Sequence, residues 1–188
     1  MAHDFTPANI PAGTTGMVMV AAVDTAAPVD ATSAWPSGWS QLGAITDDGV
    51  KGKYDTSYED VNIWQQLAPV RKLAKEVKFS LEFTANEWNR VTLPLYFSGG
   101  TITDLTTVGH SRISIPAIPT PDERAFGVEF VDGLNYWRLV MPKGMVTGRG
   151  DLTINSKKAV EMQMTIEGLV QANTDLGFWL TNATGVLA

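Results

Sequence analysis

The chain contains no cysteine. Disulfides, thiolate metal sites and a cysteine nucleophile are therefore excluded, and packing alone must hold the fold. Histidine is nearly as scarce: His3 and His110 lie far apart, which leaves little from which to build a metal centre or a catalytic triad. Charged residues make up 18% of the 188 positions, below the roughly one quarter of an average domain. The balance is acidic, with a formal net charge of −6, which opposes any function that grips nucleic acid by neutralising phosphates. No run approaches the roughly 20 apolar residues that cross a bilayer. The opening MAHDFTPANIPAG lacks the basic and apolar regions of a secretion signal. The expectation is a soluble protein without a membrane anchor, made in a reducing cytoplasm.

What is present is enough hydrophobic material, 44% of residues, for one ordinary core in a single domain spanning 1–188. Two segments alternate with period two. Val77, Phe79, Leu81 and Phe83 are separated by polar Lys78, Ser80 and Glu82 and preceded by Glu76, in a run that extends back to Arg71. Val160, Met162, Met164 and Ile166 alternate in the same way with Glu161, Gln163, Thr165 and Glu167. Each pattern describes a strand with one buried and one wet face, which antiparallel sheets permit and parallel sheets rarely do. The predicted fold class is mainly β, an antiparallel two-sheet sandwich or barrel with one short flanking α-helix.

Further strands are expected at 17–23, 39–46, 50–56, 126–131, 136–141 and 145–154. Asp47-Asp48-Gly49 and Asp132-Gly133 read as hairpin turns between neighbours. Thr84-Ala85-Asn86-Glu87 has the form of a capping box opening a helix, with Trp88, Val91, Thr92 and Leu95 on one face and Pro94 ending or kinking it. The N-terminal arm, about 1–15, is expected to be flexible. Segments 25–38 and 56–69 read as long loops, and 109–122, with Pro116, Pro119 and Pro121, as an irregular connection.

Catalytic chemistry finds no assembled set. His110 precedes Ser111 without a nucleophile elbow around it. The acid pairs Asp47-Asp48 and Glu59-Asp60 are more simply solvated turn formers than glycosidase carboxylates. Arg149-Gly150-Asp151 reads as a turn, and no glycine-rich phosphate loop is present. No enzyme activity, cofactor or metal is expected. Trp35, Trp39 and Trp64 fall in or beside the expected loops, where an indole either folds back onto the core or meets another chain.

The stretch from Val18 to Val50 resembles the opening of major tail proteins from phages with long flexible tails. Its shared features are a strand, an Ala/Pro/Thr loop, then Gly38, Trp39, Leu42 and Gly43 leading to Asp47-Asp48-Gly49-Val50. The following stretch is similar to the same family, with Asp60, Trp64 and Gln65 in a loop, a long strand through Phe83, and a short helix ending in Leu93, Leu95 and Tyr96. Pro94 within that helix departs from the pattern. The second half matches mainly in architecture.

The resemblance implies the tail tube fold, shared with tube proteins of contractile tails and type VI secretion. It also implies identical subunits in hexameric rings stacked into a tube, and partners in the tape measure, tail terminator and distal tail proteins. DNA would pass through the lumen without specific binding, and the protein would reside in the virion tail after assembly in the host cytoplasm. On that architecture the 55–69 segment stacks rings, with Trp64 as anchor and Tyr58, Glu59, Asp60 and Gln65 around it. Either Glu76, Lys78, Ser80 and Glu82 or Glu161, Gln163, Thr165 and Glu167 faces the channel, the second being preferred because it carries acid and no base. The competing readings are a monomeric β-sandwich module binding carbohydrate or another ligand on its loop tryptophans, and another virion structural protein.

Overall fold

The computed structural model describes residues 10–171 and 175–184. Along the chain run β1 (Thr15–Ala22), β2 (Ser40–Gln41), β3 (Ile45–Ile63), β4 (Gln66–Ala85), α1 (Thr92–Tyr96), β5 (Ile102–Asp104), β6 (Ser111–Ile113), β7 (Glu123–Asp132), β8 (Asn135–Arg149), β9 (Met162–Gly168) and β10 (Phe178–Thr181). All strand pairings among the described residues are antiparallel. One sheet has the order β2-β1-β7-β8-β9-β4-β3 with β10 added to β8, and β5 and β6 form a separate two-stranded ribbon. The fold is the expected antiparallel β architecture with one short helix.

The main sheet forks along β8. Residues Trp137 to Val140 pair with β10, whereas Gly144 to Arg149 pair with β9 on that same side. A register shift between Val146 and Gly148 marks a bulge, a feature that bends a strand and increases its twist. The two arms beyond the fork share one filling: Val18 and Val20 of β1, Phe126 of β7 and Met141 of β8 belong to the same core as Leu81 and Phe83 of β4 and Met162, Met164 and Ile166 of β9. The ends of the sheet do not join, since β2 pairs only with β1 and β3 only with β4. Of the sandwich and barrel alternatives, the closed barrel is therefore not formed.

The alternating segments form strands whose buried faces cover part of each pattern, with Val77 left exposed. Leu81 and Phe83 are buried, as are Met162, Met164 and Ile166, while Val160 lies before β9 begins. Asp132-Gly133 makes the β7–β8 turn, with Gly133 at φ +61°. Asp47-Asp48-Gly49 does not form a hairpin. It sits inside β3, where the register shifts between Ile45 and Val50, and Gly49 at φ +69° supplies the left-handed residue of a bulge. The segments 136–141 and 145–154 likewise merge, as far as Arg149, into the single strand β8. The short strands β5, β6 and β10 carry too few alternations to be seen in advance.

The capping box is also overturned. Thr84 lies in β4 opposite Gln163, and the helix begins eight residues later, capped by Asn89, whose Oδ1 accepts the N–H groups of Val91 (2.7 Å) and Thr92 (2.9 Å). Pro94 is the third residue of the Thr92–Tyr96 helix, which continues past it to Tyr96 instead of ending there. Glu87 turns back to accept the Ala44 N–H at 3.0 Å. Gly43, at φ +110°, leaves room for that carboxylate, since a Cβ there would lie 2.6 Å from it. Arg149 joins helix to sheet by donating to the Tyr96 carbonyl and the Ser98 hydroxyl, while the Tyr96 hydroxyl donates to the Gly150 carbonyl at 2.5 Å.

Part of the arm expected to be flexible, about 1–15, is tied to the sheet. Residues 1–9 lie outside the described residues, but Ala12 and Thr14 are hydrogen-bonded to Asp132 and Val131 at the end of β7. The largest departure is at 56–69, which is not a loop. β3 and β4 stay paired from Val50↔Phe83 out to Ile63↔Gln66, with register shifts between Ser57 and Tyr58 and between Val61 and Ile63, and Trp64-Gln65 forms the turn. Removing Phe83 (Phe83→Ala) is expected to cost about 3–5 kcal/mol in urea denaturation of the unassembled chain, whereas Leu73→Ala in the outer hairpin should stay within about 0.5 kcal/mol.

Candidate assembly surfaces

The β3–β4 hairpin outruns the core that supports it. Leu81 is 2% exposed at its root, Val77 is 43% exposed four residues further out, and Trp64 at the tip is 100% exposed. Tyr54, Tyr58, Ile63, Leu67, Val70 and Leu73 are exposed along the same projection. Its two strands pair with each other along one side of each, and its apolar side chains are exposed among the described residues. The predicted stacking residues are thus divided: Tyr58, Glu59 and Asp60 stand on β3, and Trp64 and Gln65 form the turn. Asp60 is ion-paired with Lys72 across the hairpin at 2.6 Å, a surface contact that holds the two strands in register and contributes little more than about 1 kcal/mol.

The outer edge of β3 is the second open element. Over its 19 residues β3 pairs with β4 on one side and with no described strand on the other. Such an edge is a template for another chain unless covered.

The two candidate channel faces turn out to be one surface. Strands β4 and β9 are neighbours with Ser80 opposite Glu167 and Glu82 opposite Thr165, so Glu76, Lys78, Ser80 and Glu82 share a face with Gln163, Thr165 and Glu167. Gln163 Nε2 donates to Glu82 Oε1 at 3.1 Å. The expectation of a face with acid and no base is overturned, because pairing brings lysines from elsewhere beside it. Lys51 stands 3.7 Å from Glu82, Lys53 pairs with Asp55 at 2.9 Å, Lys78 with Glu76 at 3.1 Å, and Lys158 with Glu161 at 2.9 Å. The Glu76 carboxylate holds the Lys78 ammonium above its ordinary pKa, and Glu167 on β9 adds to the effect. The surface is polar with interleaved signs.

The loop at 25–38 is fixed to the sheet by a buried ion pair that the sequence reading missed. Arg138 on β8 and Glu129 on β7 are 4% and 5% exposed, and Arg138 Nε donates to Glu129 Oε2 at 2.5 Å. Arg138 also donates to the carbonyls of Asp30 (3.0 Å) and Ser33 (2.6 Å), and its guanidinium lies over Trp35. Trp35 Nε1 donates to Glu129 Oε2 at 2.9 Å, and Trp39 Nε1 to the Ala26 carbonyl at 2.8 Å. The Trp35 ring lies so close over Gly127 that a Cβ there would be 2.3 Å from it. Backbone N–H groups of Ser33 and Thr32 hold the Asp30 carboxyl below its usual range. Trp35 and Trp39 thus fold back on their own sheet, while Trp64 does not. A signal for the pair was available: each charge interrupts an apolar strand, and the Gly133 turn places 129 opposite 138.

The remaining chemical candidates stay apart. His110 is exposed in the β5–β6 turn, where its N–H donates to the Thr107 carbonyl at 3.1 Å, and His3 lies outside the described residues. Asp47 and Asp48 are exposed in the β3 bulge. Among the described residues no three His, Asp or Glu side chains are grouped to hold a metal, and no helix is long and apolar enough to cross a membrane.

A family model described as phage tail tube protein matches residues 5–188. No curated protein is similar enough to count as a match. Among solved structures, a chain in the cryo-EM structure of the anti-feeding prophage baseplate, 6-fold symmetrised, is 14% identical, with a TM-score of 0.40 over 90% of this chain and 95% of the other. That likeness is too distant to bear on function. For the buried pair, Arg138→Leu is expected to cost about 3–5 kcal/mol by stranding the Glu129 charge. The double change Glu129→Leu with Arg138→Leu should recover part of the loss in the same denaturation assay, and Trp35 emission should shift to the red in the single variant.

Proposed function

The chain belongs to the phage tail tube protein family and is a structural component of a phage tail, and we propose that it forms the tube itself, as hexameric rings that stack into the conduit for DNA ejection. The observation that carries this reading is the β3–β4 hairpin, which among the described residues presents an unpaired 19-residue edge and an apolar projection beyond its own core. Pairing of that edge with a neighbouring copy removes the exposed ladder, and closure of a ring removes it from every copy. The projection, with Trp64 at its tip and Tyr58, Glu59, Asp60 and Gln65 around it, is what reaches the next ring. An exposed indole surrounded by polar residues is a typical anchor at such contacts.

The polar surface of β4 and β9 is the channel wall in this reading. Its carboxylates are offset by Lys51, Lys53, Lys78 and Lys158, so it offers phosphates no uncompensated row of cations. DNA, with one charge about every 1.7 Å along its axis, then passes without a holding site. Identical subunits are the principal partners. The tape measure protein inside the tube and the terminator and distal tail proteins at its ends complete the set, and assembly takes place in the host cytoplasm.

Negative-stain microscopy of the purified protein tests the whole reading: tubes are expected, and a lone molecule at high concentration would refute it. Trp64→Ala should leave the unassembled chain as stable as before, within about 0.5 kcal/mol, and abolish tubes; normal tubes from that variant would remove Trp64 as the anchor. Changing Glu161 and Glu167 together to Lys should leave tubes intact and slow DNA ejection from the assembled phage. Unchanged ejection kinetics would count against placing this face in the channel.

A further inference from the structure

At the root of the hairpin the two arms of the sheet do not close on one another. They leave an open cleft of about 760 Å³, within the range of roughly 300–1,000 Å³ in which proteins hold buried groups. Its walls are largely apolar and come from both arms: Tyr54, Phe79 and Leu81 on one side, Phe130, Leu139 and Trp179 on the other. Tyr54 and Trp179 are exposed, so the cleft is a surface with room for an apolar group and no group of its own described in it.

We propose that this cleft receives the hairpin tip of a second copy, with Trp64 and Leu67 of one molecule seated between Tyr54, Phe79 and Trp179 of the next. The inference rests on the tube reading and deepens it by naming the receiving site. Chemistry supports the match at two levels. The tip offers two fully exposed apolar side chains, Trp64 and Leu67, and the cleft offers apolar walls. Charges around them are complementary: the returning strand of the hairpin carries Arg71 and Lys75 in addition to Lys72, which is paired with Asp60, while exposed Asp47, Asp48 and Asp175 lie at the cleft and its extension.

Geometry makes the contact intermolecular. Tyr54 and Trp64 are ten residues apart on one continuous ladder, which at a rise of about 3.3 Å per residue separates them by about 33 Å. A tip cannot fold back into its own cleft without breaking that ladder. Knob and hole on different surfaces of each copy define a head-to-tail contact, which repeats without limit along an axis.

The natural absence of cysteine makes the test clean. Gln65→Cys protein is mixed with Tyr54→Cys protein, assembled and oxidised; a second mixture replaces Tyr54→Cys with Trp179→Cys on the opposite wall, and Val108→Cys, on an exposed surface elsewhere, serves as the control. A disulfide needs Cα atoms within about 7 Å, so the cleft mixtures should give cross-linked dimer about tenfold above the control. Tubes that form without cleft cross-links overturn the docking and leave the tube reading standing. Failure of the unsubstituted chain to assemble at all refutes the tube reading, and this inference with it. A disulfide in assembled tubes between Phe5→Cys and Tyr54→Cys of the same chain would put the protein's own N-terminal segment in the cleft and also overturn the docking.

Discussion

The structure depends on a hydrogen-bonded ladder that runs further than the core beneath it. An isolated two-stranded hairpin is marginal in water, because its polar groups are paired but its side chains gain little burial. Here β3 and β4 stay paired, through two register shifts, from Val50↔Phe83 to Ile63↔Gln66, while the core stops near Phe79. The root supplies the stability that the outer half lacks. Everything beyond it, including Trp64, is held out in water by the strands it connects.

The same economy appears in the charges. Two wet strand faces, distant in sequence, become one surface through the β4–β9 pairing, and lysines from β3 and the segment before β9 come to lie among the carboxylates. Exposed pairs of this kind contribute little to stability. Their consequence is the character of the surface, which is strongly polar without a dominant sign.

Where the fold does bury charge, it does so for position. Arg138 and Glu129 satisfy one another, and the guanidinium then takes two carbonyls of the 25–38 loop and the face of Trp35. The loop therefore has a defined course over the sheet although it has no regular structure. Two of the three loop tryptophans are consumed in this way, and the third, Trp64 at the hairpin tip, stands fully in solvent.

Alternation at 77–83 and 160–167 determined the antiparallel class and the buried faces at 81–83 and 162–166, since period two is a local property of each strand, whereas the exposure of Val77 depends on where the core ends. The Asp132-Gly133 turn was legible for the same reason. Local signals misled where tertiary contacts competed with them: Asp-Asp-Gly became a bulge because β3 continues to pair with β4, and the Thr84 capping box yielded to the pairing of Thr84 with Gln163. Trp64 and its neighbours were expected from the sequence to meet another chain, and the structure leaves them exposed, but their mounting on a hairpin was not foreseen. Neither the merging of the two polar faces, nor the Glu129–Arg138 pair, nor the cleft at the hairpin root is contained in any one segment. Each arises where strands far apart in the chain are brought side by side, and only the packed sheet fixes which strands those are.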